Sequence, residues 1–145
     1  MPTAIFTRAL RAVEAGDSAS TAVLLDSASS IGPQDEGKFV VTGSHGGLPG
    51  NSATRAIKAA VRLVIFNDAG IGKDDAGTRR LPALERLGIA GLCVSAASAR
   101  IGEAASTYET GIVSVCNALA GELGIQPGDW IKDLHARLAR AGSTA

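Results

Sequence analysis

The segment Gly43-Ser44-His45-Gly46-Gly47 carries the residue type best suited to acid and base chemistry near neutral pH. Its flanking glycines permit backbone shapes that other residues resist, and they leave the imidazole uncovered by neighbouring side chains. We therefore take His45 as a candidate catalytic acid or base, with Ser44 and Gly46 as candidate substrate-binding residues. The alternative is a glycine-rich turn that carries an exposed histidine. The only other histidine, His135, lies in a predicted helix, where a solvent-facing position explains it.

Serine nucleophiles are a weaker explanation of the same loops. Ser44 and His45 are adjacent, and adjacent extended residues point to opposite sides, so the pair does not match the Gly-x-Ser-x-Gly arrangement. Ser95 and Ser98 in a later loop could supply a nucleophile, but serines at strand ends more often cap turns. We keep Ser95 and Ser98 as candidate substrate-binding residues.

A second polar segment, Asn67-Asp68, directly follows an apolar run. The carboxylate of Asp68 could orient His45, receive a substrate hydroxyl or hold a divalent ion. Asp74 and Asp75 lie in the same loop, but their spacing matches no metal motif and an ordinary polar turn explains them better. We assign Asp68 as the second candidate catalytic residue and Asn67 as a substrate-binding residue. The residues indicate no particular cofactor and no assigned metal ligand.

Two cations and a tyrosine complete the candidate site. In Gly70-Ile71-Gly72-Lys73 the phosphate-loop pattern is incomplete because Asp74 follows Lys73, although backbone amides there could still hold a carboxylate or phosphate. The guanidinium of Arg100 suits a carboxylate or phosphate bidentately, with a surface ion pair as the alternative. Tyr108 is the only tyrosine, and from the helix after the same loop its hydroxyl could reach the site.

Strands and helices alternate along the chain to position these residues. Periodicity and turn signals predict strands at 21–25, 38–42, 61–66 and 89–94, a loop at 26–37, and helices at 4–15, 52–59, 78–87, 106–123 and 129–141. Such alternation produces a parallel sheet, and ligands bind outside the carboxyl ends of its strands, so the three polar loops should share one edge. The sequence thus predicts a single three-layer α/β domain over residues 1–145, with a short, mostly parallel sheet of about four strands, Rossmann-like or flavodoxin-like.

The composition argues against several classes of function. Hydrophobic residues make up 46% of the chain and charged residues 19%, which is typical of a globular protein. Acidic and basic residues number 14 each, so no net field attracts nucleic acid or an anionic membrane. The first apolar stretch is too short for a signal peptide or membrane span, and both cysteines lie in apolar runs typical of a core. We expect a soluble cytoplasmic protein that binds neither nucleic acid nor membranes.

The mixture of one flexible base, several acids and two or three cations favours a small anionic metabolite as the partner. The first hypothesis is an enzyme, a hydrolase, lyase or isomerase, that acts by acid and base chemistry. A second is a regulatory module that holds a nucleotide or metabolite without turnover. A third is a structural subunit of a homo- or hetero-oligomer that packs through its apolar helices, particularly the one bearing Trp130.

Overall fold

A six-stranded sheet runs through the protein, of which a computed structural model describes residues 11–13, 21–48, 57 and 59–144. The strands lie side by side in sequence order: β1 (Arg11–Val13), β2 (Ala22–Leu25), β3 (Phe39–His45), β4 (Leu63–Asn67), β5 (Ala90–Val94) and β6 (Val113–Cys116). The four central strands, β2 to β5, are mutually parallel, and β1 and β6 pair antiparallel at the two edges. Four of the strands therefore share one carboxyl edge.

Helices cover both faces of this sheet. They are α1 (Arg80–Arg86), α2 (Ala104–Thr110), α3 (Ala118–Glu122) and α4 (Ile131–Thr144), with short 3-10 segments at Ala28–Ser30, Pro33–Asp35 and Lys73–Thr78. The first two 3-10 segments occupy the predicted loop 26–37. Across the described ranges, no helix combines the length and the hydrophobicity needed to cross a membrane.

Alternation along the strands builds two apolar cores. Val41 and Ile65 face one side of the sheet, where they join residues of α2 and α4, including Leu134. Val40 and Val64 face the other side and join α1. The predicted α/β fold with a mostly parallel sheet is thus confirmed. The Rossmann-like or flavodoxin-like subtype is not confirmed, because those folds place their strands out of sequence order.

Two predicted helices near the amino terminus and after β3 fall largely outside the described residues. In the predicted helix 4–15, the described part, residues 11–13, is β1, which pairs with β2. The helix prediction is therefore wrong there. In the predicted helix 52–59, the described residues 57 and 59 are not helical.

The prediction of one continuous helix over 106–123 is wrong, because a strand separates α2 from α3. α2 ends at Thr110, and Gly111 then packs so tightly that a Cβ there would overlap the carbonyl of Thr107 and lie 2.8 Å from Cγ1 of Val94. The β-branched residues Val113 and Val115 follow with the two-residue period of a strand, which forms β6 beside β5. The helical spacing is coincidental only across β6, between the two helices.

The solvent-facing explanation of His135 is also wrong. His135 is only 1% exposed, and it lies on the face of α4 that contains Ile131, Leu134 and Leu138. This spacing is that of a single helical stripe facing the core. Its ring centroid is 4.8 Å from that of Phe39, so the histidine is part of the packing beneath the helix.

Candidate functional site

The three polar loops that follow β3, β4 and β5 meet at one edge of the sheet. His45 aligns with Asn67, and Asn67 aligns with Val94, so the three strands end at the same level. The backbone amide of Gly46 donates to the carbonyl of Asn67 over 2.8 Å, and the amide of Asp68 donates to that of Val94 over 2.8 Å. These bonds fix the loops against one another.

A bulge in β3 sets the position of His45. β3 continues to His45, beyond its predicted end at residue 42, and advances from Val41 to His45 while β4 advances only from Ile65 to Asn67. The Thr42 hydroxyl stabilises this irregularity, because it donates to the carbonyl of Ile65 and accepts from the amide of Ser44. Bulges commonly redirect a side chain in this way.

His45 is exposed, and its imidazole is held in one tautomer. Nδ1 accepts a 3.0 Å hydrogen bond from the backbone amide of Gly47, so the proton of the neutral ring lies on Nε2. Nε2 bonds to no described residue. In this arrangement His45 presents a hydrogen-bond donor to a ligand, and action as a base through Nε2 requires the Gly47 bond to break.

Arg80, which the sequence reasoning missed, supports the histidine loop from below. Its side chain is buried and donates from Nε to the carbonyl of Gly47 (2.9 Å) and from NH2 to that of His45 (3.2 Å). The guanidinium carbon lies 4.6 Å from the centre of the Phe66 ring. Burial lowers the pKa of Arg80, and the neighbouring Cys93 opposes that effect. In the sequence, the one sign that Arg80 is buried was its position one helical turn before the apolar Leu84, on the same face of the predicted helix 78–87.

The glycines of this edge allow close approach of the loops, whereas the sequence reasoning assigned them to unusual backbone shapes. Positive φ angles occur at neither Gly46 nor Gly47. A Cβ on Gly46 would lie 2.5 Å from Sγ of Cys93 and 2.6 Å from the carbonyl oxygen of Gly77. One on Gly47 would lie 2.9 Å from both Nδ1 of His45 and the carbonyl oxygen of Ala76. The backbone conformation at Gly46 and Gly47 does not require glycine, but the close packing around both residues leaves no room for a side chain.

Asp68 is buried, and its carboxylate holds loops together. Oδ1 accepts from the amides of Gly70 (2.7 Å) and Ala96 (3.0 Å), and Oδ2 accepts from the hydroxyl of Ser114 (2.7 Å). Asp68 and His45 share no hydrogen bond in the described structure, so this carboxylate does not orient the imidazole. Its three hydrogen bonds fix the loop between β4 and α1, so Asp68 positions this loop.

The aspartates considered as partners for a divalent ion do not gather around Asp68. Asp74 and Asp75 are exposed and lie in the 3-10 segment before α1, with φ angles of +55° and +57°. Within the described ranges, no group of three or more histidine, cysteine, aspartate or glutamate side chains is placed to hold a metal ion.

A wide groove, here called the Arg100 groove, opens beside the loop after β5 and has a volume of about 910 Å³. It is lined by Asn67, Ala69, Ala96, Ala97, Ser98, Ala99, Arg100, Ile101, Glu103, Ser106 and Thr110. The side chain of Arg100 is exposed and bonds to no described residue, and the same holds for the backbone amides of Ala97 and Ala99. Asn67 shapes the wall, because its Nδ2 donates to the carbonyl of Ala99.

A smaller groove of about 430 Å³, here called the His45 groove, lies on the other side of the loop after β4. It is lined by His45, Gly47, Leu48, Ala69, Ile71, Gly72, Ala76, Gly77 and Arg79. Arg79 is exposed and, like Arg100, its guanidinium bonds to no described residue. Ala69 lines both grooves and is the one described residue that their linings share.

The predicted serines serve turns at the same edge. The hydroxyl of Ser44 accepts from the amide of Ala28, and that of Ser98 donates to the carbonyl of Ser95 and accepts from the amide of Ile112. Ser95 is half-buried and lies outside the lining of either groove. Ser98 does line the Arg100 groove, which leaves it the most accessible of the three to a ligand.

Two other predicted residues lie away from the grooves. Lys73 is exposed and lines neither of them. Tyr108 is buried, and its hydroxyl shares a 2.7 Å hydrogen bond with Nδ1 of His135 in the core under α4, which corrects its predicted place at the site. Burial raises the pKa of Tyr108, Lys132 opposes the rise and Glu109 adds to it.

Cys93 lies beneath the edge as a protonated thiol. Burial raises its pKa to about 12, the carboxylate of Asp68 adds to the rise, and the guanidinium of Arg80 opposes it. A thiol in this state is a poor nucleophile. Cys93 is thus a core residue, as predicted, and Cys116 is partly exposed.

The fold is that of an α/β protein whose polar loops gather at the carboxyl edge of a parallel sheet. No protein-family model matches the chain, and neither does any curated protein or solved structure. Its function therefore has to be argued from the geometry of this edge.

Proposed function

We propose that the protein is an enzyme that binds a small anionic metabolite at the carboxyl edge of its sheet. The Arg100 groove anchors a carboxylate or phosphate, and His45, which lines the neighbouring groove, acts as a hydrogen-bond donor or acid on the part of the ligand that reaches it. Hydrolases, lyases and isomerases are the enzyme classes that such a donor fits best.

The observation that carries the proposal is the set of donors in the Arg100 groove that no described residue occupies. The guanidinium of Arg100 and the backbone amides of Ala97 and Ala99 all belong to one short loop. Arginine offers two parallel N–H groups to a carboxylate or phosphate, and backbone amides in a turn add fixed partial positive charge. An anionic oxygen supplies the acceptors that this loop lacks.

The role of His45 follows from its tautomer. Because Gly47 donates to Nδ1, the neutral ring offers its proton from Nε2 to a ligand in the His45 groove. A fixed neutral imidazole can polarise a carbonyl or stabilise a developing negative charge. The positive charge of Arg79 in the same groove supports that assignment.

A second candidate function is a regulatory module that binds the same ligand without turnover. The observation in its favour is that both oxygens of Asp68 are bonded within the fold, so the expected partner of a catalytic histidine serves the loop structure. The two functions differ in whether a bound ligand is chemically changed, which mass spectrometry of the incubated ligand measures.

Thermal unfolding with a panel of small carboxylates, inorganic phosphate and phosphate monoesters tests the proposal. A ligand at about 100 times its dissociation constant adds roughly 2.7 kcal/mol, which raises the Tm of a chain this size by about 5 to 10 °C. We expect Arg100→Gln to abolish that rise. Arg86→Gln is the matched control, because Arg86 is an exposed arginine near the carboxyl end of α1, outside both grooves. A rise that Arg100→Gln leaves unchanged would contradict the proposed anchor.

A further inference from the structure

We infer that one elongated ligand occupies both grooves, with an anionic group at each end and a short apolar middle. This inference rests on the proposed function, because it assigns the Arg100 groove to one end of the same ligand. The chemical class is an aliphatic dicarboxylate or a carboxylic acid that also carries a phosphate.

The two grooves share one wall residue at the edge of the sheet. Ala69 lines both of them and is exposed, so a single small side chain stands between the two grooves. Its φ angle of +52° is unusual for a residue with a Cβ and turns the backbone at this point. A ligand that spans both grooves has to cross Ala69, and a larger side chain at this position would obstruct it.

The sheet sets the distance between His45 and the Arg100 loop. His45, Asn67 and Val94 lie at one level on three adjacent strands, and neighbouring strands are about 4.8 Å apart. The histidine and the start of the Arg100 loop are therefore on the order of 10 Å apart. That span corresponds to a single chain of several carbon atoms.

Each groove contributes its own exposed arginine. Arg79 lines the His45 groove and Arg100 lines the other, and neither guanidinium bonds to a described residue. The walls also offer small or apolar side chains, among them Ala69, Ala97 and the half-exposed Ile101, although Glu103 lines the Arg100 groove as well. Charge at both ends with methylene groups between them matches this pattern.

Isothermal titration calorimetry with a dicarboxylate series, succinate, adipate and suberate, tests the inference, with octanoate as the one-ended match for suberate. We expect one dicarboxylate per chain, with adipate or suberate binding at least tenfold more tightly than octanoate. Arg79→Gln and Arg100→Gln should each weaken that binding about tenfold or more. Both side chains are exposed, so neither substitution should lower the Tm by more than about 2 °C. A phosphonate-carboxylate of similar length tests whether the ligand carries a phosphate at one end, since it should then bind more tightly than the dicarboxylate.

The outcomes separate this inference from the proposed function. If short anions bind in a way that needs Arg100, while Arg79→Gln leaves every affinity unchanged, the two-ended ligand is wrong and the single anchor stands. Two dicarboxylates per chain, each sensitive to only one arginine, would likewise overturn the shared ligand. If no carboxylate, phosphate or phosphonate binds the wild-type chain, both claims fail.

Discussion

The hydroxyl of Ser114 donates a 2.7 Å hydrogen bond to Oδ2 of Asp68, which joins β6 to the loop after β4. The other carboxylate oxygen accepts from the amides of Gly70 and Ala96. One buried side chain thereby links three segments of the carboxyl edge. Asp68 thus acts through the positions of the loops that line the grooves.

Asp68→Asn should destabilise the fold by about 1 to 3 kcal/mol, because the three hydrogen bonds lose a charged acceptor and an amide nitrogen cannot accept from the Ser114 hydroxyl. Ser114→Ala removes a single partner and should cost about 1 kcal/mol. Urea unfolding of both variants measures these costs. An Asp68→Asn variant as stable as the wild type would show that the carboxylate does not hold the loops.

Arg80 and Arg79 are neighbours with opposite environments, so they form a matched pair. Arg80→Gln should destabilise the fold by roughly 2 to 4 kcal/mol, because the carbonyls of His45 and Gly47 lose charged donors. Arg79→Gln should change stability by less than about 0.5 kcal/mol, since its side chain is exposed. Chemical denaturation compares the two, and equal costs would contradict the assigned role of Arg80.

Gly46→Ala should be severely destabilising, by about 3 kcal/mol or more, because the new Cβ would meet Cys93 at 2.5 Å and the Gly77 carbonyl at 2.6 Å. Gly121→Ala is the control, since Gly121 lies in α3 and a Cβ there meets nothing within 4 Å. That change should stabilise the chain by about 0.5 to 1 kcal/mol. Thermal unfolding should therefore shift in opposite directions for the two alanines.

The thiol of Cys93 predicts a loss of stability in alkali. Its pKa rises from an ordinary value near 9 to about 12 on folding, so the folded state favours the protonated thiol. The stability that this protonated thiol contributes to the folded state is fully present below about pH 9. It declines as the pH rises toward 12, by on the order of 1 kcal/mol per pH unit. The stability difference between the wild type and Cys93→Ala should narrow across that range. A difference independent of pH would contradict a buried neutral thiol.

The central strands were predictable because their apolar runs are buried on both faces, as β4 shows. β6 was not, since Ile112, Cys116 and Leu119 also fit a helical period, and only Gly111 with the valines after it indicates a strand. The start of α2 was missed for a different reason. Asp26, far away in sequence, accepts from the amide of Ala104, and no local capping motif can show such a partner.

The candidate site was predictable as a set of loops and less so as individual side chains. Strand order along the chain placed His45, Asn67 and Arg100 at one edge. Whether a polar residue there faces a ligand or a backbone amide depends on three-dimensional contacts, as the buried Asp68 and Tyr108 show. Arg80 is buried and Arg79 is exposed, although both are arginines. This difference results from packing, which the residue type alone does not determine.

The most direct test of an anion site at this edge is a titration of ¹⁵N-labelled protein with inorganic phosphate and with adipate, followed by amide chemical shifts. The Arg100 groove predicts saturable shifts at Ala97, Ala99 and Arg100, while amides of α4 stay unchanged. Arg100→Gln should remove the shifts, whereas Arg86→Gln should retain them. Saturable shifts confined to other parts of the chain, or none at this loop, would contradict the site.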